Sequence, residues 1–172
     1  MKGYAPIFLV GFMGAGKTTV GRALARQLGF AFIDLDEVIE ERAGKSIPEI
    51  FSESGEVEFR RRETAAIRSC RDYRDVVIAL GGGAYVSETN RDMLRGLGKT
   101  VWLDCGVDTC LARIQNGASR PLLGGEREMR ALLEKRLPAY ALADFAVKSE
   151  SRAPDEIASE IVNLIIERES IA

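Results

Sequence analysis

The chain has 172 residues, 46 % of them apolar and 29 % charged, a balance that suits one soluble globular domain with its own core. Its formal net charge of −2 excludes the basic excess of a nucleic-acid binder, and no apolar run approaches the roughly 18 residues of a membrane span. With no signal-peptide pattern, the expectation is a single cytoplasmic domain over residues 1–172, a monomer with neither nucleic-acid nor membrane partners.

The first element is Ile7-Phe8-Leu9-Val10, an apolar run typical of a strand buried on both faces. It leads into Gly11-Phe12-Met13-Gly14-Ala15-Gly16-Lys17-Thr18, a complete G-x-x-x-x-G-K-[ST] phosphate loop. Val20, Ala23, Leu24 and Leu28 then recur at helical spacing over 17–28, and Gly29 is placed to end that helix. Strand, glycine turn and helix together form a site for a nucleoside triphosphate. The backbone N–H groups of Gly14, Ala15, Gly16, Lys17, Thr18 and Thr19 are its candidate phosphate contacts, backed by the positive end of the helix. Lys17 would reach the β- and γ-phosphates, and Thr18 would place its hydroxyl on Mg²⁺.

A second strand, Ala31-Phe32-Ile33, ends in Asp34-Leu35-Asp36, at the carboxyl edge where open α/β sheets hold their ligands. An extended Asp34-Leu35-Asp36 would turn both carboxylates to one side, Asp34 towards Mg²⁺ and Asp36 towards a second substrate. The competing reading makes Asp36 the cap of the next helix. Residues 35–60 are helical but interrupted by Gly44, Pro48 and Gly55, which predicts short helices inserted into the core as a substrate-binding subregion. A further helix is predicted over 56–71. On it, Glu56 and Glu58 each precede an arginine by four residues, the spacing of a solvated, salt-bridged face. At ~100° per residue, Arg60 shares a flank with Ile67 beside the Phe59, Ala66 and Cys70 stripe, so Arg60 is the candidate anion clamp.

Val76-Val77-Ile78-Ala79-Leu80 is the third strand, and Gly81-Gly82-Gly83 at its end would expose backbone N–H groups to a ligand. Val101-Trp102-Leu103 and Phe145-Ala146-Val147 complete five strands, with helices over 107–114, 127–142 and 155–168. Strands alternating with helices indicate a five-stranded parallel sheet covered on both faces, an α/β fold. Between them, residues 115–125 hold three glycines, Pro121 and a lone Arg120, the composition of a lid carrying an arginine to the phosphates. Arg136 sits on the helix after it. The chain has no histidine, so proton transfer falls to a carboxylate, a lysine or water. Cys70, Cys105 and Cys110 lack metal-site spacing and read as reduced, packed thiols. Absence of N-K-x-D and D-x-x-G motifs argues against a GTPase.

Taken in order, Gly11–Thr18, Asp34-x-Asp36, Glu58-Phe59-Arg60-Arg61, Leu80-Gly81-Gly82-Gly83-Ala84, Arg120-Pro121-Leu122-Leu123 and Lys135-Arg136 ahead of Pro138 and Tyr140 resemble the shikimate kinases over nearly the whole chain. Leu35 departs from the small polar residue more frequent in that family. The resemblance implies the P-loop kinase fold and transfer of the ATP γ-phosphate to the 3-hydroxyl of shikimate on the pathway to chorismate. It implies that Asp36 contacts and deprotonates that hydroxyl, that Arg60 and Arg136 hold the carboxylate with Gly81, Gly82 and Gly83 lining the pocket, and that Arg120 neutralises the phosphates. Thr18 and Asp34 would organise Mg²⁺. The adenine-contacting loop matches 147–154 only loosely, with Arg152 the better candidate there and Arg113 the weaker. Two alternatives stay open: a kinase for gluconate or a nucleoside monophosphate, and an idle nucleotide-binding protein.

Overall fold

In a computed structural model, which describes residues 3–116 and 125–169, the strands are β1 (Ile7–Val10), β2 (Ala31–Asp34), β3 (Val76–Ala79), β4 (Lys99–Asp104) and β5 (Phe145–Lys148). They form one parallel sheet in the order β2-β3-β1-β4-β5. Ile7 pairs with Val77 on one side and Lys99 on the other, so β1 is central and its four side chains are buried. That explains its unbroken apolar run: helices cover both faces and neither can be polar. The carboxyl ends of β1, β2 and β3 lie together and carry the phosphate loop, Asp34 and the triple glycine.

Helix α1 (Lys17–Leu28) follows the loop, and Gly29 ends it in the left-handed conformation, donating to the carbonyls of Ala25 and Arg26. It packs on α7 (Pro154–Glu169), where Arg26 pairs with Asp155 at 2.5 Å. The next helix, α2 (Leu35–Ala43), starts two residues earlier than an extended Asp34–Asp36 segment allows. Asp34 caps it, accepting from the Asp36 N–H at 3.1 Å. Asp36 is therefore a first-turn helical residue and not part of an extended segment.

Helix α3 (Ile47–Ser69) also corrects the sequence reading. Pro48 does not interrupt it but sits in its first turn, where no N–H is needed, behind a capping box of Ser46 and Glu49. The real break is Gly55, with φ 77° and ψ 174°. A helix absent from the sequence reading, α4 (Glu88–Leu97), fills the gap before β4. The remaining helices are α5 (Val107–Asn116) and α6 (Glu126–Tyr140). Among the described residues no helix is long and apolar enough to cross a membrane.

Candidate active site

The phosphate loop curls because Gly14 and Gly16 adopt φ of 77° and 98°, which side chains resist. Gly14 is also tightly overlaid: a Cβ there would stand 2.6 Å from the Cys110 carbonyl oxygen. Gly16 precedes α1 without a side-chain cap, leaving the first-turn N–H groups directed at the loop's interior. Lys17 Nζ donates to the carbonyls of Gly11 and Phe12, both at 2.8 Å. Burial lowers its pKa to about 8, against the raising influence of Asp36 and Asp34. Its charge is thus held inside the loop and not in bulk solvent. Arg113 ties the same loop from α5, with Nη1 donating to Gly14 O at 3.2 Å and Ala15 O at 3.1 Å.

Thr18 Oγ1 donates to Asp34 Oδ2 at 2.8 Å, joining the helix start to the end of β2. A hydroxyl and one carboxylate beside a phosphate cradle are hard oxygen donors that fit Mg²⁺, which keeps several waters and takes few protein ligands. No cluster of three or more His, Cys, Asp or Glu side chains suited to a metal occurs among the described residues.

The second half of the site is built over the triple glycine, and each glycine faces a different side chain. A Cβ on Gly81 would lie 2.8 Å from Asp36 Oδ1 and 3.1 Å from Glu63 Oε1. On Gly82 it would approach Arg136 Nη1 at 3.3 Å, and on Gly83 it would strike Arg60 Nη1 at 2.5 Å. Only bare backbone lets two acids and two arginines converge there. The Gly82 position also stands 3.4 Å from Met13 N, so this pocket adjoins the phosphate loop. Arg136 lies 5.7 Å over the Phe12 ring, and Tyr140 donates to Gly82 O at 2.5 Å.

Glu63 was not among the residues singled out from sequence, yet it is 1 % exposed and accepts from Arg60 Nη1 at 2.9 Å. Burial raises its pKa, opposed by the Arg60 charge and assisted by Asp36. Its signal was the i, i+3 spacing to Arg60, masked by the run of paired charges around it. Arg60 also meets Glu56 at 3.3 Å and remains half-buried, while Arg61 is exposed and paired with Glu58. Glu63 Oε1 and Arg136 Nη1 are buried and find no hydrogen-bond partner among the described residues. A guanidinium nitrogen left open in a pocket beside Asp36 fits a small anionic acceptor.

A sequence profile described as shikimate kinase matches residues 13–166. The chain is 45 % identical over 157 residues to a shikimate kinase of Moorella thermoacetica, covering 90 % of this chain and 91 % of the relative. The chain belongs to the shikimate kinase family. A shikimate kinase of Persephonella marina is 41 % identical, with 92 % and 98 % covered. The solved shikimate kinase of Acinetobacter baumannii in complex with shikimate superposes with a TM-score of 0.90 at 40 % identity, covering 96 % of this chain and 94 % of that one. A gluconokinase of Sinorhizobium meliloti shares the fold alone, at 18 % identity and a TM-score of 0.63. This kinase is accordingly an ATP-dependent phosphotransferase with an alcohol acceptor, and the gluconate alternative gains no support.

The remaining sequence candidates separate. Arg120 and most of 115–125 lie outside the described residues. Arg152, the adenine-loop candidate, donates to Lys148 O at 3.1 Å and pairs with Glu160 at 2.5 Å. Arg113 hydrogen-bonds to the loop backbone, as does Ser149, whose Oγ donates to Ala15 O at 3.1 Å. Thr19 is exposed on the outside of the first helical turn.

Proposed function

We propose that this kinase transfers the γ-phosphate of ATP to the 3-hydroxyl of shikimate, with the donor in the phosphate loop and the acceptor over Gly81–Gly83. The observation that carries the acceptor assignment is the buried Arg136 Nη1, which has no hydrogen-bond partner among the described residues, beside Arg60 and Asp36. Arg60 and Arg136 bind the carboxylate, Arg60 held in orientation by Glu63. Asp36 orients the hydroxyl and accepts its proton, the task for which the chain offers no histidine. Lys17 exchanges its two loop carbonyls for phosphate oxygens and stabilises charge there as transfer proceeds. Arg120, on the proposed lid 115–125, adds positive charge and excludes water from the site. Because the transition state is largely dissociative, alignment and charge neutralisation carry most of the catalysis. Mg²⁺, held by Thr18 and through Asp34, would neutralise charge on the bound phosphates.

The complete set of loop, acid and arginines sits on one chain, which supports action as a monomer, in the cytoplasm where ATP is supplied. The deciding experiment couples ADP release to shikimate, gluconate and nucleoside monophosphates in turn. Turnover with shikimate alone is expected; preferred turnover with another acceptor, or none with any, overturns the reading.

A further inference from the structure

Two of the three cysteines lie directly beneath the phosphate loop. Cys105 follows β4, Cys110 occupies the first turns of α5, and both are buried. Cys110 N donates to Gly106 O at 3.1 Å, Cys110 Sγ lies 3.9 Å from the backbone oxygen of Cys105, and the two thiol side chains are themselves within hydrogen-bonding reach. Arg113, one turn further on, brings Nη1 to 3.7 Å from Cys105 Sγ. That same nitrogen donates to Gly14 O and Ala15 O, and Nη2 donates to Ser149 O at 3.1 Å. The Cys110 carbonyl in turn overlays Gly14. Sulfur pair, guanidinium and phosphate loop are therefore one contiguous cluster.

We propose that Cys105 and Cys110 form a peroxide-reactive dithiol site that alters nucleotide binding through Arg113. The third cysteine supplies the contrast. Cys70 is 1 % exposed, donates to Ala66 O at 3.3 Å, and burial pushes its thiol up to about 11. Cys105 is 5 % exposed, and hydrogen bonding from Cys110, aided by Ser149 and Arg113, lowers its thiol to about 6. The bond that favours the Cys105 thiolate raises Cys110, which stays protonated as the resolving thiol.

In the first step the Cys105 thiolate attacks hydrogen peroxide, the O–O bond breaks, and sulfenic acid and hydroxide form. The Cys110 thiol gives its proton to that hydroxide, its sulfur attacks the sulfenyl sulfur, and the S–O bond breaks as hydroxide leaves and is protonated. Two thiols are oxidised by two electrons and one peroxide becomes two waters. The disulfide removes the anionic sulfur from Arg113 and draws the Cys110 backbone away from, or into, the tight contact over Gly14. Either displacement misaligns the loop carbonyls that Arg113 holds. In a reducing compartment such a disulfide is transient and reversible.

The test uses the full chain, reduced and then treated with hydrogen peroxide at low molar excess. Intact mass and peptide mapping should show a Cys105–Cys110 crosslink with Cys70 free. Calorimetric affinity for ADP should fall by about tenfold or more and recover with dithiothreitol, as expected when loop donors are misplaced. Cys110→Ser should stop at a sulfenic acid that dimedone traps on Cys105, and Cys105→Ser should remain unoxidised, with an ADP affinity that peroxide does not change from its own untreated value. The mass readout stands apart from the phosphate-loop assignment. Oxidation of Cys70 at the rate of Cys105, no crosslink in the native chain, or a crosslink with unchanged ADP affinity overturns the proposal.

Discussion

At the scale of single residues, the two arginines over the triple glycine are not equivalent. Arg60 already rests on Glu63 and Glu56, whereas Arg136 Nη1 has no hydrogen-bond partner among the described residues. Removing either loses a charge-assisted hydrogen bond worth roughly 1.5–3 kcal/mol, or about ten- to a hundredfold in acceptor affinity. Arg60→Ala and Arg136→Ala should therefore raise the KM for shikimate by that factor and leave the KM for ATP nearly unchanged. Lysine at either position should restore only part, since it lacks the planar fork. Asp36→Asn separates from both: substrate binding persists while kcat falls steeply, because the amide is a far poorer base. Equal losses towards ATP would move the arginines to the nucleotide site. Lys17 carries a pH prediction whose sign follows from its lowered pKa of about 8. Below that value the free loop already holds the ammonium that phosphate requires. Above it a proton must be taken up on binding, so the Kd for ADP should rise by up to about tenfold per pH unit. Titration calorimetry across pH 7 to 9.5 checks this, as an experimental range of roughly one unit or more either side. Lys17→Met should bind weakly with the slope abolished, and should lose on the order of a hundredfold or more in kcat.

Among the elements, those legible from sequence were the ones specified locally. The phosphate loop and α1 are written in consecutive residues, and β1 and β3 in apolar runs bounded by glycine. Harder to read was whatever depends on a neighbour in space. Helix α4 presents only Met93, Leu94 and Leu97 as its apolar side, too short a stripe to stand out from the polar stretch around it. Asp34 was legible as a candidate at the carboxyl end of β2, but its capping of α2 puts Asp36 in the first helical turn, which spacing along a strand does not foresee. Glu63 looked like one more member of a solvated charge run, because its burial comes from the triple glycine arriving from β3. Helix α4 has its own role at the site. Asn90, 1 % exposed, donates to Ala84 O at 2.9 Å and accepts from Thr64 Oγ1 at 2.9 Å, clamping the turn after Gly83 to α3. Asn90→Ala leaves buried partners unsatisfied and should cost about 1–3 kcal/mol of stability by urea unfolding. It should also raise the KM for shikimate more than that for ATP, since the clamp orders the glycines against Arg60. A stability loss with both KM values unmoved would confine Asn90 to folding.

For the whole molecule, cohesion is uneven in a way that matters for binding. Strands β1 and β3 are buried along their full length, and β1 is hydrogen-bonded on both sides. The longer stretch from α2 to the first half of α3 is more sparsely anchored, by the buried Leu35, Ile39, Ile47 and Ile50. Phe51 is 37 % and Val57 86 % exposed, and Gly55 breaks the helix between them. Local opening of this stretch should therefore cost much less than global unfolding. Its two ends carry Asp36 and Arg60, the groups assigned to the acceptor, so a molecule binding both would fasten it at each end. Amide exchange over residues 37–57 should be faster than in β1 and β3 in the free protein, and should slow when shikimate alone is added. ADP alone should instead protect residues 11–20 and leave 37–57 nearly as before. Protection of 37–57 by ADP equal to that by shikimate would mean the stretch answers to the nucleotide. Exchange already as slow as in the central strands would mean that it does not open, and that acceptor binding occurs on a rigid surface without the coupling these two anchor points imply.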